Sequence, residues 1–202
     1  MPVNKLDSSF ITSLVESRER IVEEYEQVFK TPEYLEHFYL TNWKLLPLYS
    51  AEFGTTEEVE FFPSIKKFIE EFPEGLTLCE MAFSVIGYGD TEFHDEQWTR
   101  LKGFHRIHIP IKDVDQCSLF IKEDDGITHK YDYEVGNAYE FKNAYNSHKP
   151  CNMNENGNTR IFVMFDYIDT NENPDVPDEL LFSKASRAKQ EFTTPPNLLP
   201  PL

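Results

Sequence analysis

Phe104-His105-Arg106-Ile107-His108-Ile109-Pro110-Ile111 reads as a strand, because its side chains alternate between two faces of an extended chain. Period-two geometry sends Phe104, Arg106, His108 and Pro110 to one side and His105, Ile107, Ile109 and Ile111 to the other. Downstream, Tyr139-Glu140-Phe141-Lys142-Asn143, then Ser147-His148, then Arg160-Ile161-Phe162-Val163-Met164-Phe165-Asp166 complete the decisive stretch. Two histidines far apart in the chain, followed by an arginine on an apolar strand, point to a metal beside a cation that binds a carboxylate. That combination implies chemistry on a small acid.

Working outward, short apolar or alternating runs separated by turn residues fill the chain from Leu76 onward, the pattern of an antiparallel sandwich or barrel. Strands are predicted near 78–87, 91–94, 104–111, 118–122, 127–133, 138–142 and 160–168. Gly87, Gly89-Asp90, Asp124-Asp125-Gly126, Gly136-Asn137 and Asn152 to Asn158 supply turns. Upstream, Asp7-Ser8-Ser9 cap a helix running to about Phe29, with an apolar stripe through Ile11, Leu14, Ile21 and Val28 and glutamates on the remaining arc. A short helical turn at 33–38, an early strand over 42–49 and a second helix over 62–72 follow. Beyond Asp169 the chain is rich in Asp, Asn and Pro; a short helix is predicted around 180–190, then an extended tail. The chain divides into a helical flank (1–75), a β core (76–170) and a C-terminal extension (171–202) of one structural domain.

Composition excludes several classes. Thirty-six acidic residues against nineteen basic give a formal charge of -17, which repels nucleic-acid backbones and anionic membrane surfaces. Cys79, Cys117 and Cys151 have no CxxC spacing, which predicts a reduced, cytoplasmic setting. No run approaches the length of about 20 apolar residues needed to span a bilayer, and the first residues have no apolar signal-like core. The expected partner is a small-molecule or peptide substrate.

Arg106-Ile107-His108-Ile109-Pro110, Gly136 to Asn143, Ser147-His148, and Arg160 through Asp166 together resemble the aspartyl/asparaginyl β-hydroxylase family. The resemblance covers 78–168. It implies a double-stranded β-helix, or jelly-roll, barrel that uses Fe(II), O2 and 2-oxoglutarate as cosubstrate to hydroxylate an amino-acid side chain, either peptidyl Asp or Asn or a free amino acid such as proline. It makes His108 the first iron ligand, His148 the second, and Arg160 the cation for the far carboxylate of 2-oxoglutarate. Neutral imidazole suits Fe(II), and arginine forks onto a carboxylate while staying charged in a partly dry pocket.

Many oxygenases of this fold place a carboxylate two residues after the first histidine, where this chain has Pro110. The family that the chain resembles also lacks that carboxylate, and water can fill the position. Asp95, Asp113 and Asp115 are candidates for a displaced carboxylate, although the last two lie past the strand end and read rather as turn residues, and a halide is the remaining option. His94 occupies a place that suggests a pocket-edge, cofactor-binding role or a surface turn. Arg106 shares the His108 face and binds a substrate or cosubstrate carboxylate, or else forms a buried salt bridge. His105 reads as structural and His37 as a helix-surface residue, while Asn143, His129 and Trp98 are candidates for the mouth. The alternative reading is a non-catalytic jelly-roll binding module with a residual two-histidine metal site; a cupin-like enzyme without cosubstrate is weaker, since cupins cluster more histidines near the first ligand.

Overall fold

The computed structural model describes residues 3–5, 9–29, 43–95, 101–123, 125–141, 146–155 and 159–173. The expected helices at 33–38 and 180–190, the cap residues Asp7 and Ser8, the C-terminal tail, and His37, Trp98 and Asn143 lie outside them. In chain order the elements are β1 (Val3–Lys5), α1 (Ser9–Glu16), α2 (Arg18–Val28), β2 (Trp43–Ser50), β3 (Gly54–Thr55), a 3-10 turn (Glu57–Phe61), α3 (Pro63–Glu70), β4 (Leu76–Ile86), β5 (Gly89–Asp90), β6 (Phe104–Lys112), β7 (Cys117–Lys122), β8 (Thr128–Asp132), β9 (Tyr139–Phe141), β10 (His148–Asn152) and β11 (Arg160–Asp169).

The strands form a seven-stranded sheet, β1-β9-β6-β11-β4-β2-β3, and a four-stranded sheet, β5-β10-β7-β8. From β4 to β11 the chain crosses between sheets at every connection except β7 to β8. That alternation is jelly-roll-like. The expected closed barrel is not formed among the described residues. β5 and β9 are too short to carry hydrogen bonding across the seams, so both sheets keep open edges. Pro47 and Pro110 both sit at register shifts in their ladders, as a residue without an N–H requires inside a sheet.

Strand parity sorts the core into two layers. Ile107, Ile109 and Ile111 of β6 and Ile161, Val163, Phe165 and Tyr167 of β11 pack outward against Ile11, Leu14, Ile21, Tyr25, Phe62 and Ile65 of the helical flank. Each such side chain, fully buried, contributes about 1.5–3 kcal/mol. Between the sheets, Cys117, Leu119 and Ile121 of β7 meet Tyr133, Tyr139 and Phe162. The opposite parity of β11 therefore turns Arg160, Phe162, Met164 and Asp166 towards the space between the sheets.

The long first helix breaks in two at Ser17. Ser13 and Ser17 both bend their hydroxyls back onto the helix, with Ser17 Oγ donating to Ser13 O at 2.8 Å, a contact that competes with the regular ladder and bends it. α3 starts with Pro63 in a position that needs no N–H, and Glu24 of α2 accepts hydrogen bonds from Ser64 N and Oγ at that end. No helix of the described residues is long and apolar enough to cross a membrane.

Candidate active site

The small sheet brings two histidines face to face. His148 opens β10, and His94, four residues beyond β5, pairs with it as an isolated bridge: His94 N donates to His148 O at 2.9 Å and His148 N to His94 O at 2.8 Å. Residues opposed in this way project their side chains on the same face of a sheet. Their ring centroids are 4.4 Å apart. That face is the inner one, because His148 lies opposite Ile121 of the inter-sheet core.

Each ring has its tautomer set by the main chain. His94 Nδ1–H donates to Glu92 O at 3.0 Å and His148 Nδ1–H to Asn146 O at 2.8 Å. A carbonyl can only accept, so both neutral rings place their lone pair on Nε2, the arrangement in which a second contact orients a metal-binding imidazole. The histidine whose ring lies against His148 is thus His94, expected only at the pocket edge. His108, the expected first ligand, instead has Nδ1 3.0 Å from Tyr133 Oη and its ring against Tyr133 and Phe162. The cause is topological: β6 belongs to the large sheet, whereas His94 and His148 share the small one.

Arg160 begins β11 and is 3% exposed. Its guanidinium lies 4.2 Å over the Phe162 ring and 6.0 Å from the centre of Tyr133. Among the described residues its Nε and Nη1 have no hydrogen-bond partner. Burial pushes the Arg160 pKa down, opposed by Tyr133, Cys117 and Cys151, while burial raises the Tyr133 phenol and carries the Cys117 thiol up to about 11. Burial raises the Cys151 thiol as well, so it disfavours the anionic form of all three neighbours. Beside Arg160 in the β4 ladder, Ile86 O accepts a 3.0 Å hydrogen bond from Asn152 Nδ2, so an inward residue of β10 ties the small sheet to this end of the large one. Asn152, expected to open a turn, instead closes β10 with its side chain buried.

Arg106, expected among the cofactor-binding residues, is occupied within the chain. Its Nε donates to Asp166 Oδ1 at 2.8 Å and its Nη2 to Asp166 Oδ2 at 2.5 Å, a buried fork across β6 and β11. Of the two readings open for it, the salt bridge is the one formed. We expect Arg106→Ala to destabilise the fold by about 3–5 kcal/mol, because it leaves Asp166 buried and unpaired next to Glu80 on β4. Urea denaturation checks this; a loss under about 1 kcal/mol would show that the pair is no more than a surface-type bridge.

The remaining residues are plainly placed. His105 sits 2.6 Å from Glu140 and stacks on Tyr167, as a structural residue should. Asp113, with φ of 52°, and Asp115 belong to the turn between β6 and β7, Asp95 is exposed, and His129 is on β8. Among the described residues no three His, Cys, Asp or Glu side chains gather at one point.

No known protein family and no curated protein matches the chain. Solved structures do. The 2OG-Fe(II) oxygenase family oxidoreductase from Burkholderia pseudomallei is 8% identical over 64% of this chain and 68% of its own, with a TM-score of 0.46. HygX from Streptomyces hygroscopicus, solved with nickel and 2-oxoglutarate bound, is 12% identical over 83% of this chain and 82% of its own, at 0.46. A cupin domain from Bordetella pertussis is 14% identical over 47% of this chain and 83% of its own, at 0.32. These likenesses are shallow.

Proposed function

We propose that this protein is an Fe(II)- and 2-oxoglutarate-dependent oxygenase that hydroxylates an amino-acid side chain, peptidyl Asp or Asn or a free amino acid such as proline. The observation that carries the reading is Arg160: a buried guanidinium whose Nε and Nη1 lack a partner among the described residues, on the inner side of the large sheet, while His94 and His148 lie on the inner side of the small one. A buried cation is costly unless an anion meets it, and a dicarboxylate that reaches a metal at its other end supplies that anion. His94 and His148 hold the metal through Nε2. Arg160 takes the far carboxylate as a fork, with Phe162 and Tyr133 keeping water from the contact. Bound Fe(II) supplies oxygen activation coupled to oxidative decarboxylation of 2-oxoglutarate. The amino-acid substrate rests on the family resemblance of the sequence.

With His94 as the first histidine, the position two residues on is Glu96 rather than Pro110. Glu96 lies outside the described residues and enters on sequence alone, as the carboxylate that would complete a 2-His-1-carboxylate set. Anaerobic addition of Fe(II) and 2-oxoglutarate is expected to give a weak visible charge-transfer band, which succinate in place of 2-oxoglutarate does not give. Absence of the band would return the chain to a non-catalytic jelly-roll module with a two-histidine metal site.

A further inference from the structure

His94 lies beyond the end of a strand only two residues long, so little sheet pairing beyond its own bridge and the Thr91 contact holds it against His148. Phe93 adds to this hold from the other side of the sheet. On β7, Phe120 and Lys122 alternate with the inward Leu119 and Ile121 and so lie on the outer face, and Lys149 of β10 is opposite Phe120. The Lys122 ammonium sits 4.5 Å from the centre of the Phe93 ring and the Lys149 ammonium 5.3 Å from it. Lys149 also approaches Phe120, at 5.8 Å, and pairs with Asp90 of β5. Two cations at one aromatic ring, on a chain of charge -17, form a clamp whose geometry is set by the small sheet.

Resting on the His94–His148 reading above, we propose that Phe93, gripped by Lys122 and Lys149, is a positioning residue for the metal site. It latches the 91–95 segment to the outer face, and the alternation of the extended chain then delivers the next side chain, His94, to the inner face beside His148. Without the latch, the segment is held by the His94 bridge and a Thr91 N to Pro150 O hydrogen bond of 3.2 Å. The metal would then have to order one of its own ligands on binding, and affinity would fall by that cost.

The test is a Co(II) titration of the full-length protein, read by visible absorption and calorimetry, with thermal unfolding of the metal-free protein beside it. Phe93→Ala is expected to weaken Co(II) binding about tenfold, the lower end of the range for groups that orient ligands. Phe93→Trp should restore it, whereas Phe93→Leu, which keeps apolar area but not the ring face, should not. The double variant Lys122→Gln with Lys149→Gln leaves the ring in place and should reproduce the loss, which covers the case of Phe93→Ala failing to fold. Unchanged Co(II) affinity in that double variant, or full affinity in Phe93→Leu, would overturn the latch while leaving the site intact. Unchanged affinity in His94→Ala would instead overturn the two-histidine site itself, and the latch with it.

Discussion

His94→Ala and His148→Ala each remove divalent-metal binding from a chain that stays folded, while His108→Ala leaves it nearly intact. The loss in the first two should exceed the roughly 10–100-fold that follows from deleting a supporting group, because a direct ligand goes. His108 has its Nδ1 on the Tyr133 hydroxyl and its ring against Phe162, within the aromatic wall beneath Arg160. Its deletion should therefore disturb 2-oxoglutarate more than metal. Glu96→Gln belongs in the same series, and weaker metal binding there would mark it as the third ligand. Calorimetric titration with Co(II), alongside far-ultraviolet circular dichroism to confirm folding, decides the matter. If His108→Ala abolished binding and His94→Ala did not, the metal pair would be His108 with His148.

Arg160 gives two effects of opposite sign. Arg160→Ala should weaken 2-oxoglutarate binding by roughly one to two powers of ten, since a charge-assisted contact contributes about 1.5–3 kcal/mol. Lysine restores the charge but not the fork and should recover only part. The ligand-free fold should respond the other way. Replacing an uncompensated buried ion by an apolar side chain of similar length often stabilises by about 1–4 kcal/mol, so Arg160→Met should melt at a higher temperature than the parent chain when both lack ligand. Added 2-oxoglutarate with metal should stabilise the parent and not the variant. A lower melting point for ligand-free Arg160→Met would mean that the guanidinium is satisfied inside the protein, and the assigned role would fall.

The face assignments of the two central strands are legible in the sequence. The alternation on β6 and β11 assigned Arg160, Phe162 and Asp166 to one face and the isoleucines to the other, and the structure keeps that division. β10 is not legible as a strand for a physical reason: its inward positions are His148, Pro150 and Asn152, so two polar residues and a proline stand where a strand usually advertises itself with β-branched or aromatic ones. The place of His94 beside His148 is not legible locally, because the expected strand at 91–94 is reduced to a single bridge, the short strand β5 stands at 89–90 where a turn is expected, and a bridge partner cannot be read from local sequence. The sequence has a proline two residues after His108 and a glutamate two residues after His94, and only the proposed metal pair gives that contrast a meaning. The fate of Arg106 turned on Asp166, a pairing across sixty residues of sequence that parity permits but does not require.

The two-residue β5 also bears on how the chain behaves among copies of itself. An edge strand exposes a row of backbone donors and acceptors on which a neighbouring molecule can add a strand, and β5 and β8 are the edges of the small sheet. β5 has too few residues to offer such a row and is followed by exposed Glu92 and Asp95, while β8 carries Lys130 and Asp132 on its exposed residues. Short length at one edge and charge at the other guard against strand addition and aggregation, so the same brevity that leaves His94 in need of a clamp keeps its sheet from templating growth.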